Sequence, residues 1–196
     1  NQRLVTHDYA VATVDPRPRV VTIGASTPHL EALTQFLDRL PADTGFAFTI
    51  VLIGESTPDA TRINTLKHHT PMKVMRGTGG ALVEPNNIYL ISQEPSLTIR
   101  DGTLHAAATS PHNPGLLIDH FFRSLADDLG ERAIGIVLPG TETYGVLGLE
   151  SIKAHGGLTF FMTNGLATEQ ELSSRTIHPE VVDIVATPEE IAAKLT

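Results

Sequence analysis

Ser26 is the first residue in this sequence placed to do chemistry. It lies two positions after Gly24, where the β-branched run Val20-Val21-Thr22-Ile23 gives way to Pro28 and an amphipathic stretch. A strand that stops there, followed at once by a helix, holds the serine on a sharp turn at the mouth of a sheet. A hydroxyl held in this way is a nucleophile when a base is within reach, and the N–H groups of the next helix turn can steady an oxyanion. The same spacing also makes a helix cap, with Ser26 or Thr27 as the cap and Pro28 at the first helical position. Spacing alone favours the cap. "GAST" is not G-x-S-x-G, because no glycine follows two residues on, and it is neither a Walker A loop nor G-x-G-x-x-G.

A serine nucleophile needs a base. His29 stands three residues after Ser26, on the same side of the helix's first turn, although a helix N-terminus disfavours the imidazolium that must form. His112, in "SPHNPG", precedes a helix start and could face the same side. Such histidines are more often surface or capping groups. His68 and His69 end a predicted helix, where histidines meet the helix dipole favourably. Adjacent positions point about 100° apart, so this pair does not make a two-ligand face, and no metal site is expected.

These residues sit in a chain of 196 residues with 41% hydrophobic and 18% charged residues, enough for one ordinary globular domain. The formal net charge of -8, with no basic cluster, argues against nucleic acid and against an anionic membrane surface. The absence of cysteine excludes disulfides, thiolate-held zinc and thiol catalysis, and it is compatible with a reducing cytoplasm. No apolar run reaches membrane-spanning length, and no signal peptide is visible. The chain opens on Asn1 without a methionine, as a segment of something longer would.

Residues 1–18, which carry Asp15-Pro16-Arg17-Pro18, read as a linker or N-terminal extension, with "YAVATV" as a short edge strand; residues 19–196 form the domain. Within it, strands are expected at 19–24, 46–53, 72–75, 86–92, 133–139, 157–162 and 181–186. Helices are expected at 28–40, 58–69, 115–129, 145–155 and 188–195, with a loop and a short helix after 162. In the helix over 115–129, Leu116, Leu117, Phe121, Leu125 and Leu129 share an apolar face. Asp101-Gly102 marks a type I′ hairpin over 96–108, and Thr187 with Glu190 a capping box. The fold class is therefore α/β, with a doubly wound, mostly parallel sheet and an antiparallel hairpin insert. Sites in such sheets form beyond the carboxyl ends of the strands, here the loops 24–28, 53–58 and 139–145 and the loop around 163–179.

The sequence resembles the catalytic domain of chemotaxis protein-glutamate methylesterases of the CheB type, especially those fused to a methyltransferase in multidomain signalling proteins. The resemblance rests on "VVTIGASTPHLEAL", "LPADTGFAF", "HHTPMKV", "VEPNNIYLIS", "LTIRDGTL", "IDHFFRSLADDLGERAIGIVLPGT", "GVLGLESIKAHGGLTF" and "PEEIAAKL", in order from Val20 to the C-terminus. It implies a Rossmann-like sheet and a Ser-His-Asp triad. Ser26 matches the nucleophile residue for residue. The histidine belongs in a Gln-His pair after the second strand, where this chain has Ile53-Gly54. The aspartate belongs in a Gly-Thr-Gly-x-Asp-Gly loop, where "PGTETYG" puts Glu142 for the glycine and Tyr144 for the aspartate. Pro28-His29 replaces the two glycines that follow the serine, and Gly79-Gly80 an acidic-glycine pair.

A serine without its base is a weak nucleophile at neutral pH. The expectation is thus a methylesterase-like module that is catalytically deficient and serves regulation or binding. The alternatives are a working serine methylesterase or deamidase using Ser26 with a relocated base, and a small-molecule or anion-binding domain. Thr27, Glu55, Thr141, Glu142, Tyr144 and His178 are the candidate binding residues, with His178 in a segment that the resemblance brings toward the pocket. Tyr144 either bonds Ser26 or, as favoured, fills the vacated cavity. Glu55 is a feeble base toward serine, while Asp59 and Glu142 read as solvated loop charges. The resemblance implies no cofactor, a cytoplasmic place, and as partner a chemoreceptor-like protein or peptide or other domains of the same signalling protein, without membrane insertion.

Overall fold

A computed structural model of the chain describes residues 15–54, 57–93, 95–109, 111–163, 178 and 180–196. "YAVATV" and most of the 163–179 loop lie outside them. The first strand, β1 (Val20–Ser26), and the second, β2 (Ala47–Ile53), are buried along their whole length. Near-continuous apolar runs of this kind belong to parallel strands covered on both faces. They form the middle of a seven-stranded sheet with β3 (Lys73–Arg76), β4 (Asn87–Ile91), β7 (Ala133–Val137), β8 (Leu158–Met162) and β9 (Ile184–Ala186), in the order β3-β4-β2-β1-β7-β8-β9. Every pairing in that sheet is parallel. The hairpin β5 (Leu97–Arg100) and β6 (Thr103–Ala106) pairs antiparallel beside it. Asp101 and Gly102 turn it with φ of 51° and 70°, the left-handed pair that a type I′ turn requires.

Side chains alternate along β1, so successive residues feed opposite layers. Val21, Ile23 and Ala25 pack with Leu33, Phe36 and Leu37 of α1 (Leu30–Asp38) and Ile191 of α5 (Pro188–Lys194). Val20 joins the other layer, with Ile118, Phe121 and Leu125 of α3 (Leu116–Leu129) and Leu149 of α4 (Glu142–Ala154). The remaining helix is α2 (Asp59–Lys67), which contributes Leu66 to the first layer. Phe36 and Phe121 are fully buried, and truncating either to alanine costs about 3–5 kcal/mol at such sites. The capping box on α5 forms as expected, Thr187 Oγ1 accepting from the Glu190 N–H and Glu190 Oε2 from the Thr187 N–H.

Four expectations are corrected. β1 runs through Gly24 to Ser26 instead of ending at the glycine. Gly24 is an approach point: a methyl built there would lie 2.8 Å from Ile118 Cγ2 on α3. Leu116 is 48% exposed and leaves the apolar face, which Leu117, Phe121, Leu125 and Leu129 keep at four-residue steps. α4 opens at Glu142, three residues earlier than its apolar pattern suggests, with the Tyr144 N–H donating to the Thr141 carbonyl at 3.0 Å to form the first turn. β9 shrinks to Ile184–Ala186 because Asp183 turns its carboxylate back onto the Thr159 N–H at 2.9 Å and accepts the Thr159 hydroxyl at 3.1 Å.

α3 and α4 are pinned to each other by a buried carboxylate. Asp119, 5% exposed, accepts the Gly148 N–H through Oδ1 at 2.6 Å. Gly148 allows the approach, since a methyl there would press on the Phe122 ring. Desolvation raises the Asp119 carboxyl to about 6, outweighing the Gly148 N–H and the nearby Arg123 guanidinium, which both lower it. The folded chain therefore holds this proton more tightly than the unfolded chain does. Its contribution to stability is complete below about pH 3.8 and is lost as the pH rises through about 6. Asp119→Asn keeps an oxygen for Gly148 and never ionises. In thermal melts it is expected to exceed the wild type by the equivalent of about 1–3 kcal/mol near neutral pH and to match it near pH 4; an equal difference at both values refutes the assignment.

Candidate functional site

The carboxyl edge of β1 places Ser26 at the mouth, 8% exposed and paired in register with Ile53 at the end of β2. A 3-10 turn, Thr27–His29, follows immediately and leads into α1. Ser26 occupies the cap position of that turn, yet its side chain makes no cap hydrogen bond. Its Oγ instead lies 3.0 Å from His29 Nδ1. This reverses the expectation from spacing: the hydroxyl is spent on a histidine and not on the helix. With the imidazole proton on Nε2, the Ser26 hydroxyl donates to Nδ1. Serine and histidine three residues apart meet because that spacing puts them on one side of a helical turn.

The neighbouring loops are tied to this edge by threonines. Thr27 Oγ1 donates to the Ile53 carbonyl at 3.0 Å, joining the serine turn to β2. Thr141, fully buried, directs its hydroxyl to the Leu138 carbonyl at 2.6 Å and the Gly24 carbonyl at 3.3 Å. Both hydroxyls, considered above as binding groups, are committed to backbone.

Gly54 follows β2 with φ of +126°, a region that residues with a side chain rarely adopt. A methyl there would strike Thr27 Oγ1 and approach Thr27 Cβ to 3.0 Å. The turn is thus shaped against any side chain at this position. Tyr144 does not fill a cavity beside Ser26. It is 38% exposed, and its ring lies over Gly115, where a methyl would come within 3.0 Å of Cγ. Among the described residues no hydrogen bond joins it to Ser26.

Asp59 is not a solvated loop charge. It accepts the Ser92 hydroxyl at 2.5 Å and pairs with Arg76 Nε at 3.1 Å and Arg62 at 4.0 Å, binding the ends of β3 and β4 to α2. Sequence reasoning missed this cluster, whose members lie far apart in the chain. His112 and His178 are exposed, and the His178 carbonyl accepts the Val181 N–H. Glu55 lies outside the described residues, as does the side chain of Glu142. His68 Nδ1 meets the Asn64 carbonyl at 2.7 Å and His69 Nδ1 meets Asp38 at 3.0 Å. Among the described residues no group of three potential metal ligands occurs. No described helix is long and apolar enough to cross a membrane.

Ser26 thus stands at the carboxyl edge of a parallel sheet, beside a turn that leads straight into a helix. The family model for CheB methylesterase matches residues 21–195. This chain belongs to the CheB methylesterase family. It is 31% identical over 193 residues to protein-glutamate methylesterase/protein-glutamine glutaminase 6 of Anaeromyxobacter dehalogenans (strain 2CP-C), covering 90% of this chain and 53% of that protein. It is 32% identical over 152 residues to protein-glutamate methylesterase/protein-glutamine glutaminase 1 of Dechloromonas aromatica (strain RCB), covering 72% and 42%. The chain thus spans about half the length of these relatives. The catalytic domain of Thermotoga maritima CheB methylesterase shares the fold, with a TM-score of 0.77 at 17% identity over 91% of this chain and 97% of that one.

The geometry at Gly54 opposes the histidine that the sequence resemblance would place there. Gly54→His is expected to lower the melting temperature by about 4–12 °C, the equivalent of about 2–3 kcal/mol of backbone strain and overpacking. Calorimetry checks this; a variant as stable as the wild type would refute the described turn.

Proposed function

We propose that this domain is a weakened protein-glutamate methylesterase module, held in the cytoplasm, that engages a chemoreceptor-like protein and turns over its glutamyl methyl esters slowly. The observation that carries this reading is the 3.0 Å contact between Ser26 Oγ and His29 Nδ1. In the reaction, Oγ attacks the ester carbonyl carbon while His29 Nδ1 takes the hydroxyl proton. The proton passes to the departing methoxide, which leaves as methanol, and water then releases the glutamate carboxylate from the acyl-serine. α1 begins four residues after Ser26, so its unpaired first-turn N–H groups lie at the same end of the sheet as the developing oxyanion.

Two features support slow turnover. Among the described residues no carboxylate bonds His29 Nε2, so nothing fixes the tautomer or steadies the imidazolium; losing that role in a serine triad costs about ten-thousand-fold. Ser26 is also only 8% exposed, which restricts the approach of substrate to its hydroxyl. The binding arm rests on the relatives' names and on the shared fold. The names also suggest a glutaminyl amide as a second substrate for the same serine.

Methanol release from a glutamyl methyl-ester receptor peptide tests the reading. The domain is expected to turn over about ten-thousand-fold below a triad-bearing relative, with Ser26→Ala and His29→Ala each reducing release to background. Peptide binding is expected to survive in Ser26→Ala. Turnover that persists in both variants sinks the dyad, and a silent wild type that still binds peptide leaves a purely regulatory module.

A further inference from the structure

The loop between β7 and α4 does more than complete the mouth. Gly140 has φ of +86° and lies flat against the His29 ring: a methyl built on it would sit 2.5 Å from Nδ1, 3.1 Å from Nε2 and closer still to Cε1. The imidazole thus has Ser26 Oγ at Nδ1 and the Gly140 backbone against its face. The loop itself is fastened to the sheet, because the buried Thr141 hydroxyl reaches Leu138 and Gly24, and the Thr141 N–H donates to the Leu138 carbonyl at 3.2 Å. Leu138 in turn donates its N–H to the Gly24 carbonyl at 3.1 Å. Gly24 lies two residues before Ser26 on the same strand. Nucleophile and base therefore share one segment, and the wall's loop is hydrogen-bonded to the strand that carries Ser26.

We infer that Gly140 is a positioning residue: it is the backbone wall that holds the exposed His29 imidazole with Nδ1 on the Ser26 hydroxyl, and Thr141 is the fastening that keeps the wall in place. This inference rests on the Ser26–His29 reading. An exposed histidine side chain otherwise samples several rotamers, and only one presents Nδ1 to the serine. Any residue with a Cβ at 140 must displace the ring or the loop. Glycine also suits the position because its backbone is left-handed.

The test reads the imidazole directly and does not depend on turnover. In nitrogen NMR of the labelled domain, His29 is assigned by its loss in His29→Gln. The wild type is expected to show a single tautomer with the proton on Nε2 and an acceptor signal at Nδ1, and Ser26→Ala shifts that signal. Gly140→Ala is expected to give the Ser26→Ala signature at Nδ1, and to slow labelling of Ser26 by a phosphonofluoridate at least tenfold, while its amide spectrum elsewhere stays native. If Gly140→Ala does not fold, Thr141→Val, which retains the glycine and removes the hydroxyl, must move the same signal in the same direction. A folded Gly140→Ala, or in its absence Thr141→Val, with a wild-type His29 signal overturns the inference and leaves the dyad standing. A His29 signal indifferent to Ser26→Ala removes the dyad itself, and the wall with it.

Discussion

Thr27 and Thr141 each send a hydroxyl to a backbone carbonyl at the carboxyl edge of the central sheet, at 3.0 Å to Ile53 and at 2.6 and 3.3 Å to Leu138 and Gly24. Three loops meet at that edge, and these bonds fix their mutual positions. The Thr27 hydroxyl gives the Ile53 carbonyl at the end of β2 a donor, while the Thr141 hydroxyl adds a second donor to the Leu138 and Gly24 carbonyls, which already accept the Thr141 and Leu138 N–H groups. The consequence reaches the chemistry. Drawing Thr27 onto Ile53 closes the space beside Gly54, and drawing Thr141 onto Gly24 brings Gly140 over His29. The same two interactions thus exclude a base from one side of Ser26 and support one on the other.

Much of the architecture could be read from the sequence because it is set by local periodicity. β-branched runs bounded by turn residues marked the strands, four-residue apolar steps marked α3, and Asp101-Gly102 specified a hairpin whose left-handed backbone few other pairs adopt. What was not legible depended on pairings across the chain. Asp59 looks like a loop charge until Ser92 and Arg76 are brought to it from the ends of two other strands. Tyr144 looks like a plug for an emptied cavity until Gly115, just before α3, offers a surface for its ring. Leu116 looks like core because its neighbours are, and it falls outside because one residue turns a helix by about 100°.

The site was legible in part. The strand-to-helix turn, Ser26 and the three-residue interval to His29 were all visible, and the interval predicts a shared side of the turn. The commitment of the serine was not, since a cap and a histidine partner make identical demands on spacing. Pro28 separates the two. It carries no N–H, so the first turn has one donor fewer to satisfy, and the turn after Ser26 takes a 3-10 geometry in which the third residue comes to 3.0 Å from the hydroxyl. A cap would have used Oγ to accept, whereas here the hydroxyl is able to donate.

That difference changes what holds the reacting groups together. A triad of the family type gathers its members from three separate loops, so its precision depends on the whole mouth keeping its shape. Ser26 and His29 lie within one turn, and their separation is set by the backbone between them, with Gly140 acting on the ring face alone. Such a pair is inexpensive to assemble in entropy, because few torsions need fixing. Ser26 is nonetheless only 8% exposed, and among the described residues no carboxylate bonds His29 Nε2. In the proposed reading, slow turnover follows from that geometry and requires no defect in the fold.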